Sequence, residues 1–210
     1  MSQFDDIAEA VIDGDEERVE ELTQNLVDEG EEPSEIIKEG LVAGMDVVGD
    51  RFKAEEMFVP QVLIAAEAMA KGMDIVKPLL ADDDTSSEGL VLMATVEDDL
   101  HDIGKNLASM LLEGSGFNVI DLGTDIPPEE FVEGVKEHEP DIVGMSSLLT
   151  TTMPNMESTI EALEEAGIRD EVKIMVGGAP VSQEFADEIG ADAYAPDGST
   201  ASDLAKEIID

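Results

Sequence analysis

Residues 90–104 read Leu90-Val91-Leu92-Met93-Ala94-Thr95-Val96-Glu97-Asp98-Asp99-Leu100-His101-Asp102-Ile103-Gly104. The first seven form an unbroken apolar-rich run, the pattern of a short strand buried on both faces. Three acids then break the run, and a helical pattern begins near Ile103. This places His101 in a strand-to-helix loop, at the carboxyl edge of a sheet. Open α/β sheets bind ligands at that edge.

Downstream of this stretch, strand and helix alternate. Apolar strand candidates are 90–96, 118–122, 142–146, 172–176 and 193–195, with helices between them and a last helix over 201–209. Gly114 and Gly116 are placed to end the first of these helices, as C-terminal caps do. Five short apolar strands joined by helices predict a parallel, doubly wound sheet. Upstream the pattern is helical. Phe4, Ile7, Val11 and Ile12 share one face; Val19, Leu22, Leu26 and Val27 share another beyond Asp13-Gly14-Asp15. A third helix starts at Pro33 and carries Ile36, Ile37, Leu41, Met45 and Val48. A fourth spans 60–79, with Leu63, Ala66, Ala70 and Met73 expected inward. Four amphipathic helices with short connections predict a bundle. The polar run 82–88 reads as a linker, so the expected domains are 1–84, helical, and 85–210, α/β.

The chain has 210 residues, 42% of them hydrophobic but only 3% aromatic, so the core must be built mostly from Val, Ile, Leu, Met and Ala. Its net charge is −41, from 52 acids and 11 bases. That balance argues against a nucleic-acid partner, which needs basic surface. A globular chain this acidic looks halophilic, its self-repulsion screened by salt. No run of 18 apolar residues and no basic leader is visible, so no membrane association and a cytoplasmic location are expected.

Cysteine is absent, and the only other histidine, His138, sits in the solvated pattern Lys136-Glu137-His138-Glu139-Pro140. Zinc sites need three or four protein ligands. A lone histidine ligand instead suits a metal whose equatorial positions a macrocycle already fills. Asp99 could then accept from the other ring nitrogen and fix the tautomer. The six residues from Asp99 to Gly104 alone leave a plainer alternative open, a loop histidine beside a helix-capping aspartate.

Two further elements stand at set distances. Between Gly104 and Ser146-Ser147-Leu148 lie 41 residues, and 28 separate Leu148 from Gly177-Gly178. Asp-x-His-x-x-Gly, Ser-x-Leu and Gly-Gly at this spacing resemble the fingerprint of cobalamin-binding domains. The resemblance implies a flavodoxin-like or Rossmann-like domain that binds cobalamin base-off. His101 would be the lower axial cobalt ligand, with Asp99, Asp102 and Gly104 around it. It also implies a nucleotide tail bordered by Ser146, Leu148, Thr150, Gly177 and Gly178, with Tyr194, Asp197 and Gly198 near its end. The family usually has Gly where this chain has Asp98, a substitution tolerable at positive φ.

The helical half is similar to the cap of methyl-transferring cobalamin proteins, through Met45-Asp46-Val47-Val48-Gly49-Asp50-Arg51-Phe52, Phe58-Val59-Pro60-Gln61 and Ala65-Ala66-Glu67-Ala68-Met69. By that likeness Phe52, Met57, Phe58 and Val62 are candidates to cover the upper face of the corrin. Phe52 and Val62 fit bundle core equally well; Met57 and Phe58, between two helices, fit the covering patch better. The run 147–153 further resembles small free-standing corrinoid proteins of methanol and methylamine methyltransferases.

The implied function is a carrier. A substrate:corrinoid methyltransferase (methylamine, methanol, betaine or a similar donor) passes a methyl group to bound cob(I)alamin. A second methyltransferase takes it from methylcobalamin, and a reductive activase is a possible further partner. No catalytic residue of the chain's own is expected. The alternatives are a cobalamin-dependent sensor, which would need an output domain, and a storage module without methyl transfer. A dinucleotide fold lacks its Gly-x-Gly-x-x-Gly here. A receiver domain would need an Asp where Ser146 stands and a Lys where Pro196-Asp197-Gly198 stands.

Overall fold

The computed structural model describes residues 2–79 and 87–209. The chain forms two compact units. One holds the described residues up to Glu88 together with Glu113–Gly116; the other holds Gly89–Leu112 and the residues from Phe117 onward. Residues 82–86 of the expected linker lie outside the described residues.

The first unit is helical: α1 (Gln3–Asp13), α2 (Glu16–Glu29), α3 (Pro33–Glu35), α4 (Ala43–Lys53) and α5 (Val59–Val76). Ser2 caps α1 through a reciprocal capping box with Asp5. Gly14 and Gly30 end α1 and α2 in the left-handed conformation. The expected third helix is continuous from α3 into α4 but contains a π-helical stretch, Ile36–Val42. Its Ile36, Ile37 and Leu41 join Ile7, Val11, Val19, Leu26, Met45, Val48 and Met69 in the core.

The inward stripe of α5 differs by one position from expectation. Val62, Ala65, Ala68, Met69, Gly72 and Val76 are buried, and Ala70 is exposed. The start of this helix is apolar on every side, so its phase is not readable from periodicity. Gly72 selects the phase, because a Cβ there would come within 2.5 Å of Leu41 Cδ2.

The second unit is a five-stranded parallel sheet in the order β2-β1-β3-β4-β5. The strands are β1 (Leu90–Val96), β2 (Asn118–Ile126), β3 (Ile142–Ser146), β4 (Lys173–Gly177) and β5 (Ala193–Ala195). The helices are α6 (Ile103–Gly114), α7 (Pro128–His138), α8 (Pro154–Glu165), α9 (Gln183–Ile189) and α10 (Gly198–Ile209). Alternate residues of β1 serve opposite faces. Leu92, Ala94 and Val96 pack with Phe131, Met156, Leu163 and Ile189, while Val91 and Met93 pack with Leu112, Phe117, Ala201 and Ala205. β2 runs four residues past the expected 118–122, because a bulge at the Met93/Ala94 register shift lets polar residues continue the ladder. β4 is shifted by one residue from 172–176.

The strand order reverses between β1 and β3, which makes the gap between their carboxyl ends the switch point where such sheets bind ligands. No helix among the described residues is long and apolar enough to cross a membrane.

Candidate functional site

The loop after β1 crosses this switch point. Asp98 takes φ +64°, so the position does require the left-handed conformation. Its N–H donates to Asp125 Oδ1 at 2.7 Å, and the Asp125 N–H donates to the Asp99 carbonyl at 2.9 Å. Asn155 Nδ2 donates to the Glu97 carbonyl at 2.7 Å, and the buried Thr95 hydroxyl donates to the His101 carbonyl at 3.1 Å. The loop is therefore tied from β1, β2 and α8.

Within it Asp99 is fully buried while its neighbours Asp98 and Leu100 are exposed. Asp99 Oδ1 accepts from the His101 backbone N–H at 3.0 Å and lies 2.7 Å from His101 Nδ1. Oδ2 accepts from the Leu148 N–H at 2.8 Å and from the Thr152 hydroxyl at 2.9 Å. Ser147 Oγ stands 2.8 Å from Thr152 Oγ1. Burial pushes the Asp99 carboxyl up. The hydrogen bonds from Leu148, the His101 backbone, the His101 ring and Thr152 outweigh burial and hold the group well below the usual carboxylate range.

An ionised carboxylate only accepts, so Nδ1 of the neutral ring carries the proton and Nε2 carries the lone pair. The His101 side chain is 51% exposed. Leu100 before it and Ile103 two positions after it are 72% and 79% exposed, and Leu148 and Leu149 are exposed in the β3–α8 loop. A Cβ on Gly104 would meet nothing within 4 Å. Among the described residues no three His, Asp or Glu side chains gather as a metal-binding group. A single imidazole donor beside exposed aliphatic side chains and an open glycine fits a flat, largely apolar macrocycle that brings its own metal.

The remaining candidates fall along the same edge. In register, Thr95 pairs Ser146, Ser146 pairs Gly177, and Gly177 pairs Ala195. Ser146, Leu148, Gly177 and Gly178 thus share the carboxyl ends of β3 and β4, Thr150 is exposed in the next loop, and Tyr194 lies in β5. The two glycines are required by protein backbone itself. A Cβ on Gly178, at φ +127°, would stand 1.8 Å from the Ser147 carbonyl oxygen, and one on Gly177 2.9 Å from that of Ala195. Asp197 caps α10, accepting from the Thr200 N–H at 2.8 Å and its hydroxyl at 3.0 Å. Gly198 is buried against Ala108 and Leu111. Asp102 accepts from Asn106 Nδ2 at 3.2 Å.

In the helical unit the covering candidates divide. Met57 and Val62 are buried, Phe52 is half-buried, and Phe58 is 67% exposed. Ser147, Thr152, Asp125 and Asn155 were not singled out from sequence. Residues 146–152 contain five hydroxyls, and only the folded loop distinguishes Thr152 from Thr150 and Thr151.

Comparison with known proteins identifies the family. Residues 89–205 match the family model of a B12 binding domain, and residues 3–77 match a second B12 binding domain model. A corrinoid protein of Desulfitobacterium hafniense strain Y51 is 46% identical over 100% of this chain and 98% of its own length. Trimethylamine corrinoid protein 1 of Methanosarcina acetivorans is 46% identical over 95% of this chain and 92% of its own. In the methanol:cobalamin methyltransferase complex of Methanosarcina barkeri, one chain superposes with a TM-score of 0.88 at 32% identity. That match covers 99% of this chain and 79% of the other. With both halves matched and the two curated relatives aligned over 98% and 92% of their own lengths, the chain belongs to the B12-binding corrinoid protein family.

Proposed function

We propose that this protein is a corrinoid methyl carrier. It would receive a methyl group from a substrate-specific methyltransferase and yield it to a second one, with a reductive activase as a further partner. The observation that carries the proposal is the pairing of His101 with buried, ionised Asp99 at the β1/β3 switch point, which leaves Nε2 as a fixed donor.

Cobalamin, when bound, supplies a cobalt that takes up and releases methyl groups. His101 would ligate that cobalt through Nε2, with the cofactor bound base-off. Asp99 orients the ring and fixes its tautomer, and Leu148 and Thr152 hold Asp99. Leu100, Ile103, Leu148 and Leu149 offer apolar surface to the macrocycle. Ser146, Thr150, Gly177, Gly178, Tyr194, Asp197 and Gly198 would border the nucleotide tail, and Asp102 and Gly104 the ring's near side. Relatives named for trimethylamine and dimethylamine favour a methylated amine as the donor class.

The test is electron paramagnetic resonance of the reconstituted Co(II) protein with 15N-labelled histidine. Hyperfine coupling should follow the label in the wild type and vanish in His101→Ala. Coupling to benzimidazole in the wild type would refute the ligation. Failure of every methylated amine and of methanol, each with its methyltransferase, to methylate the bound cofactor would refute the carrier role.

A further inference from the structure

Four consecutive residues, His101 to Gly104, are exposed, and Ile103 at the start of α6 is 79% exposed. The first buried residue beyond His101 is Lys105, whose side chain is 1% exposed. The first turn of α6 therefore enters the protein on a charge instead of an apolar side chain. Lys105 Nζ donates to Asp121 Oδ2 of β2 and, at 2.7 Å, to Asn106 Oδ1. Asp121 Oδ1 in turn accepts from the Gly123 N–H at 2.8 Å, at the β2 bulge. Asn106 Nδ2 reaches Asp102 Oδ2 at 3.2 Å, beside His101. An unbroken polar chain thus runs from the β2 bulge through Lys105 to the residue that follows the histidine.

A buried ammonium is costly, and an apolar residue at position 105 would pack α6 at lower cost. What the ion pair adds is direction. An apolar contact tolerates sliding and rotation of the helix, whereas Nζ, oriented by Asn106 of the same helix and bonded to Asp121, ties the first turn of α6 to one point on β2.

We infer that Lys105 is a positioning residue for His101, fixing the start of α6 against β2 so that the imidazole stands where a cobalt in the site can take it. The inference rests on the proposed function. Asp99 sets the ring's tautomer and tilt, and Lys105 sets where the loop carrying the ring is anchored.

The test uses Lys105→Met, which keeps the apolar stem, and Asp121→Asn, which removes the partner's charge at a half-exposed position. Each variant, loaded with cobalamin and reduced to Co(II), should retain the cofactor. The ratio of histidine-ligated to histidine-free cobalt should fall about tenfold, as for second-layer changes at metal sites. The double variant should fall no further than either single one. In the cobalamin-free chain, amide exchange over 101–106 should quicken while β1 and β3 keep wild-type protection. A wild-type ligation ratio in both variants, with or without a lower melting temperature, overturns the inference. If Lys105→Met does not fold, Asp121→Asn decides. If the wild type takes up no cobalamin, the proposed function fails and the exchange measurement alone decides the role of Lys105. Quickened exchange confined to 101–106 then supports it, and unchanged exchange overturns it.

Discussion

Thr152 donates its hydroxyl hydrogen bond to Asp99 Oδ2 at 2.9 Å, across 53 positions of chain. The contact joins the loop after β1 to the loop after β3, and so closes the switch point around the carboxylate that holds His101. Thr152→Val keeps the shape and removes the donor. It should cost about 1–3 kcal/mol of stability, the penalty for leaving a buried acceptor short of a partner, measured by denaturant unfolding in high salt. His101→Ala also removes a donor to Asp99, but at a half-exposed position where water can take its place, so it should cost less than Thr152→Val.

Acid should reveal Asp99 directly. Its carboxyl lies below the usual range in the folded chain, so its stabilising contribution is complete above the unfolded value of about 4 and is lost as pH falls through the folded value. The stability difference between wild type and Asp99→Asn should stay flat between about pH 7 and 5 and shrink below about pH 4. A difference that grew in acid would reverse the assignment.

The glycines of the site should respond differently. Gly178→Ala should destabilise the fold with or without ligand, because its Cβ would strike the Ser147 carbonyl at 1.8 Å and φ is +127°. A Cβ on Gly104 meets nothing within 4 Å and the position is exposed, so Gly104→Leu should hold the melting temperature while cobalamin affinity falls at least about tenfold through steric exclusion. Gly104, not Gly178, is the variant with which to probe ligand approach.

Salt should stabilise the whole chain. At a net charge of −41 the surface carboxylates repel one another. Raising potassium chloride toward 1 M shortens the screening length to about 3 Å. The melting temperature should climb steeply from 0.1 M to 3 M salt; a flat profile would contradict the halophilic assignment.

The fold was legible in the sequence because it depends on local pattern, and the ligand class because three motifs resemble the fingerprint of cobalamin-binding domains. The apolar runs at 90–96 and 142–146 could only be strands buried on two faces, and the intervening helices dictated parallel pairing. His101 announced itself as one of two histidines in a chain without cysteine, with Asp99 two positions earlier and the Ser-x-Leu and Gly-Gly elements at strand ends.

What no local pattern carried was the choice among equivalent neighbours. The phase of α5 depended on Gly72 against Leu41, because a helix start that is apolar all round offers no preferred stripe. Thr152 was selected over Thr150 and Thr151 by the turn of the β3–α8 loop, which aims one hydroxyl at Asp99 and leaves Thr150 in solvent. Gly178 owes its identity to a carbonyl 31 positions away, and Lys105, indistinguishable from a surface lysine in the sequence, is buried only because Asp121 waits on the neighbouring strand. Sequence by itself determined the elements and singled out His101 as the candidate ligand; tertiary structure decided which ring nitrogen is left open and which side chains surround it, because hydrogen bonds and steric limits act between residues that only folding brings together.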